Sequence, residues 1–143
     1  MNLSREEKMI LISILGMYNE ASFASLMAKY AKVDQDISNA WHACLQGYDV
    51  SFEIYKKMRD TEDFELTDIN WKILLVALAD NADVESKVFP KYAGISWMLY
   101  EDDTQHYSRE EFLKLSERVK TEPEIVENLL NSLENKFGKV EEA

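Results

Sequence analysis

Apolar positions along this chain recur mostly at spacings of three and four, the period of helices that bury one face. The densest run is Thr67 to Asp80, TDINWKILLVALAD, where Ile69, Ile73, Leu74, Val76, Ala77 and Leu78 cover most of a helical circumference. A helix with no wet face predicts a central, buried element. Its start is marked twice. The Thr67 hydroxyl can accept from a free N–H of the first turn, and Leu66 and Trp71 flank that cap at the spacing of a hydrophobic staple. Asp80 and Asn81 close the run, well short of the roughly 20 apolar residues of a membrane span.

Before this helix the pattern predicts three or four others. Ser4 to Glu7, SREE, is a capping box in which each side chain can satisfy a backbone donor of the other residue. Met9, Ile10, Leu11, Ile12, Ile14, Leu15 and Tyr18 follow, interrupted by Ser13 and Gly16. Two continuations fit: Ser22 caps a second helix carrying Phe23, Leu26, Met27 and Tyr30, or the first helix runs on to Ala31. Asp34 then reads as the cap of a helix with the stripe Ile37, Trp41, Cys44, Leu45 and Tyr48, and Gly47 stands where a left-handed C-terminal residue belongs. Asp49 or Ser51 restarts the chain, with Phe52, Tyr55 and Met58 inward and Lys56, Lys57 and Arg59 near the negative end of the helix dipole. Thr61 to Leu66, TEDFEL, is an acidic connector into the central helix.

Beyond the central helix, Asp83 to Phe89 can begin a helix that Pro90 must stop. Lys91 to Tyr100 fits a short helix, and a short β segment near 84–100 is the alternative, with Ile95, Trp97 and Leu99 alternating against Ser96, Met98 and Tyr100. Glu101 to His106 is a polar loop. Ser108 to Glu111 repeats SREE, Tyr107 and Phe112 make a second staple, and Phe112, Leu113, Leu115 and Val119 form the inner face. Thr121 to Glu124, TEPE, reads as a third capping box, and Ile125, Val126, Leu129, Leu130, Leu133 and Phe137 form the last stripe before Gly138. The sum is one all-α domain over 1–138, a bundle of six or seven helices around 67–80, with a frayed acidic tail at 139–143.

Composition agrees with that class. A chain of 143 residues suits one domain able to bury roughly two thirds of its unfolded surface, and four Gly with two Pro leave few turn-makers for a hairpin-rich fold. One cysteine makes no internal disulfide, and the N-terminus shows no basic stretch, apolar segment and cleavage site in series, so a reducing, cytoplasmic location is expected. Charge changes the picture more. With 27 acidic against 16 basic residues, a net −11, the surface repels phosphate backbones and anionic lipid. Direct binding of nucleic acid or membrane is disfavoured and a basic protein partner favoured, although acidity also serves plain solubility.

Motifs for chemistry are missing. The chain has no glycine-rich phosphate loop, no nucleophile elbow and no Cys or His spacing for zinc. His42 and Cys44 are two apart on a helix and so face differently, and Cys44 belongs to a buried stripe with no cationic activator nearby. An EF-hand register ending on Glu111 puts Tyr100 where Asp is required and Gln105 where Gly is required; one starting at Asp60 ends on Trp71. No cofactor or metal is expected.

What remains are acids beside aromatics. Asp60, Glu62, Asp63, Glu65 and Asp68 surround the connector, and Trp97, Tyr100, Glu101, Asp102 and Asp103 surround the polar loop. Carboxylates can pair with Lys or Arg of a partner while Trp97 and Tyr100 supply apolar area and cation–π attraction. The expected function is therefore an acidic protein-binding module, of the inhibitor, immunity or anti-defence kind, that masks the basic surface of a partner such as a nuclease or nucleic-acid-binding protein. The alternatives are a helical enzyme or small-ligand domain using carboxylates, with His42 or His106 at a pocket, and a homo-oligomeric module joined through the apolar helices at Met9 to Tyr18 and Ile69 to Leu78.

Overall fold

Capping chemistry sets where the helices begin. The computed structural model describes residues 2–81 and 106–139, and every regular element among them is a helix: α1 (Arg5–Gly16), α2 (Glu20–Tyr30), α3 (Gln35–Leu45), α4 (Val50–Asp60), α5 (Asp68–Asn81), α6 (Arg109–Thr121) and α7 (Glu124–Phe137). Both SREE boxes close reciprocally, Ser4 with Glu7 and Ser108 with Glu111. Thr67 Oγ1 accepts from Asn70 N–H at 3.2 Å while Asn70 Oδ1 accepts from Thr67 N–H, so α5 starts where its sequence says. Asp34 accepts from the N–H groups of Asp36 and Ile37 at 2.9 and 3.2 Å, and Asp49 rather than Ser51 caps α4. The α3 terminus is a Schellman turn: Gly47 N–H reaches the Cys44 carbonyl, Tyr48 N–H reaches the Ala43 carbonyl, and Gly47 takes φ +85°.

Three local expectations need correction. The chain breaks after α1 rather than running on, and the cap of α2 is Asn19, with Ser22 as its reciprocal third-position partner. The TEPE box does not form: Thr121 is still helical and its hydroxyl donates to the Arg118 carbonyl, while α7 starts on Pro123 without a side-chain cap. A cap needs a residue with non-helical backbone at the helix start, and Thr121 is still inside the preceding helix. Finally, Leu45, Tyr48, Phe52, Ile69 and Leu113, the last expected on the inner face of α6, all face water. Tyr48 lies beyond the last turn of α3, where helical periodicity no longer governs direction. The inner face of α4 runs through Ser51, Ile54, Tyr55 and Met58, which leaves Phe52 at its edge.

The core is shared by two helices. α5 packs against α1, α3 and α7, with Ile73 to Leu78 all buried; α1 packs against α4 and α5, with every residue from Met9 to Gly16 buried. Ile10, Leu11, Ile14 and Leu15 meet the environment of Ile73, Leu74, Leu75 and Leu78, all among the most deeply buried side chains. Burying each such side chain favours folding by about 1.5–3 kcal/mol. The apolar surfaces that could have joined two copies are thus used inside one chain. Around them, α2 packs on α3 and α6 on α7. Asn81, the last residue of α5, donates to the Tyr18 hydroxyl and the Ala77 carbonyl, which ties the end of α5 to the end of α1. Among the described residues no single helix is long and apolar enough to cross a membrane; α1 and α2 pass that test only as a pair bent by 103°. The region that admits either a helix or a short β segment, 84–100, and the tail at 140–143 lie outside the described residues.

Candidate acidic groove

The connector between α4 and α5 is irregular, and burial alternates along its second half. Phe64 and Leu66 are half-buried against the core, whereas Asp63, Glu65 and Thr67 are exposed. With Phe64 and Leu66 anchored on the core, the polar residues beside them stay in water, where their charges need no internal partner. Cations of α1 hold the other edge. Lys8 Nζ donates to the Glu62 carbonyl at 3.3 Å and lies 5.5 Å from the centroid of the Phe64 ring; Arg5 pairs with Glu62 at 3.5 Å.

Between this segment and the N-terminal residues lies an open groove of about 330 Å³, lined by Asn2, Leu3, Lys8, Asp63, Phe64, Glu65 and Trp71. Its floor is apolar and aromatic, its rim acidic. Of the acids expected at the connector, the fold brings Asp63 and Glu65 together here, and neither has an ion-pair partner among the described residues. Asp60 is elsewhere, at the end of α4, where Arg59 grips it at 2.7 and 3.2 Å and holds its carboxyl below the usual range. Its carbonyl oxygen lies 3.0 Å from His106 Nε2. Asp68 is exposed in the first turn of α5, where the helix dipole favours an acid. Trp97, Tyr100, Glu101, Asp102 and Asp103 lie outside the described residues.

Arg5 organises the flank of the groove. Its guanidinium bonds both oxygens of Glu111, at 2.7 and 3.1 Å, donates to the His106 carbonyl and stands 4.7 Å from the Tyr107 ring centroid. This bidentate bond holds the Glu111 carboxyl at about 2. The first turn of α1 is thereby fastened to the start of α6, and a second pair, Arg118 with Glu6, lies alongside.

A second polar cluster escaped the sequence reading. Lys72, the one charge within the apolar run of α5, reaches Asp34 at 2.5 Å and Asp36 at 3.5 Å. Burial pushes the Asp34 carboxyl up, but the Lys72 ammonium and the N–H groups of Ile37 and Asp36 outweigh it, and the net shift is down. The cavity beside it, between Tyr30, Ile37, Lys72, Val76 and Phe137, measures about 120 Å³, small against the roughly 300 Å³ of ordinary ligand pockets. A lone lysine inside an apolar helix was the available signal, because a half-buried cation requires a carboxylate.

Nothing nucleophilic or metal-binding accompanies these clusters. Burial pushes the Cys44 thiol up, away from the reactive thiolate. His42 is exposed with its ring bound to the Ser38 carbonyl at 2.7 Å, and no grouping of three or more His, Cys, Asp or Glu among the described residues could hold a metal ion. The chain is thus a small all-α bundle whose most distinctive surface is an acidic, aromatic-floored groove. Comparison with protein-family models, curated proteins and solved structures gives no match.

Proposed function

We propose that this protein is a binding module that covers the basic surface of a protein partner, in the manner of an inhibitor, immunity or anti-defence protein acting on a nuclease or a nucleic-acid-binding protein. The observation that carries this reading is the pair Asp63 and Glu65, exposed and without an ion-pair partner among the described residues, on a chain of net charge −11. A carboxylate that lacks an internal partner offers full charge to an approaching one, and clustered acids steer a basic protein into contact and hold it less well as salt rises. The cytoplasm is the proposed setting.

Affinity capture from the source cell at low salt, followed by a high-salt wash and mass spectrometry of the eluate, tests the proposal. A basic protein released in stoichiometric amount, and lost when Asp63 and Glu65 become Asn and Gln, is the expected result. Recovery of the bait alone would remove the masking function. A carboxylate-using enzyme has no comparable support, since neither of the two cavities described above is lined by a histidine.

A further inference from the structure

We infer that the groove between residues 2–3 and the connector receives a single arginine side chain from a basic protein segment, and that Lys8 is its built-in competitor. The inference rests on the basic-partner reading and adds the side chain that the site takes.

Three features of the groove converge on a cation with a long apolar stem. Leu3, Phe64 and Trp71 supply a floor that a chain of methylenes can cover. Asp63 and Glu65 are both exposed and both line the groove, so a cation entering it meets two carboxylates. Lys8 shows that a cation is already accepted there, because its ammonium sits over the Phe64 ring and bonds the Glu62 carbonyl, while Asp63 and Glu65 have no ion-pair partner among the described residues. Arg5 does not supply the missing charge, being committed to both oxygens of Glu111.

Arginine fits better than lysine for a physical reason. A guanidinium is planar and weakly hydrated, so it stacks on an aromatic face and bonds a carboxylate with two parallel N–H groups, whereas an ammonium is a compact, strongly hydrated charge. The groove, about 330 Å³ and open on one side, has room for a side chain entering from the surface of a partner. A second copy of this chain is a poor occupant, because it would bring another net −11 to an acidic rim. Entry of the guanidinium displaces Lys8 from Phe64, so the resident lysine lowers affinity and screens out weakly binding cations.

The test is a two-dimensional NMR titration of the full chain with three short capped peptides, identical except for a central arginine, lysine or citrulline. The arginine peptide is expected to shift the Trp71 indole and the backbone amides of residues 63–65, the citrulline peptide to shift neither, and the lysine peptide to bind more weakly. Asp63→Asn with Glu65→Gln should weaken binding about tenfold, the scale of one lost charged hydrogen bond. Lys8→Met should strengthen it, while Lys136→Met, a charge change on α7, should not. Equal binding of the citrulline peptide, shifts confined to residues away from the groove, no shift with any peptide, or equal gains from both lysine variants would overturn the inference. The masking function fails separately. A captured partner that the Asp63 and Glu65 variant still retains would leave that function standing and remove the groove, and a peptide-binding groove without a captured partner would do the reverse.

Discussion

Ser13 sits among the buried residues of α1, and its hydroxyl oxygen has no hydrogen-bond partner among the described residues. An unpaired buried polar group costs about 1–3 kcal/mol, and alanine removes the group with little change of volume. Ser13→Ala is therefore expected to raise stability by about 1 kcal/mol, seen as a higher urea midpoint at unchanged slope. At Glu111 the sign runs with pH. Its carboxyl is held at about 2 in the folded chain by Arg5, below the ordinary 4.5. The contribution of the pair is complete above the unfolded value and is lost as pH falls from there toward about 2. Glu111→Gln should thus lose stability at neutral pH and converge on the parent in that acid window. Both partners are about 40 % exposed, so solvent screening keeps the difference small. A pH-independent difference in urea midpoint would show that the pair contributes by packing instead.

Among the elements, the α3–α4 corner illustrates how one residue decides a change of direction. Gly47 holds φ +85° with nothing within 4 Å of where a Cβ would stand, so a side chain there meets only backbone strain. Gly47→Ala should cost about 1–2 kcal/mol and Gly47→Asn less, because Asn tolerates the left-handed region. Thermal denaturation of both variants checks that order. The sequence disclosed this corner because Gly47 follows an apolar stripe, yet it placed Leu45, Tyr48 and Phe52 inward when all three are exposed. Helical period assigns a face only while the chain remains helical and only relative to neighbours that the sequence does not specify. The same limit explains the missing TEPE cap: its residues suit a helix start, but α6 runs through Thr121 and occupies the backbone that the cap needed.

For the molecule as a whole, two electrostatic effects oppose each other. Surface pairs such as Lys114 with Glu110 weaken as salt rises, each worth about 0–1 kcal/mol, while the net −11 destabilises the folded chain through self-repulsion that salt relieves. Acids exceed bases by eleven, so the net charge should prevail. Stability is expected to rise between about 0.01 M and about 0.15 M salt, as the screening length falls from about 30 to about 8 Å. A falling urea midpoint over that range would show that the ion pairs dominate. Binding to a basic partner should move the opposite way, with slower association at the higher salt.

By itself the sequence determined the class and most helix starts. Helical spacing of apolar residues, Asp34 and the two SREE boxes act within a few residues of chain, and short-range chemistry is what a linear pattern records. It also marked α5 as interior, since a helix apolar on all sides has nowhere else to go. Only the tertiary structure decided that α1 shares the centre, that Lys72 joins Asp34, and that Arg5 binds Glu111 across 106 positions of chain. The acids of the connector lie close together in sequence and form one patch on paper. Folding divides them, giving Asp60 to Arg59 and Glu62 to Arg5 while Asp63 and Glu65 are left facing a groove floored by Phe64 and Trp71. Pairing energies depend on which charges are brought within a few ångströms, and distance in space is the quantity a sequence leaves open.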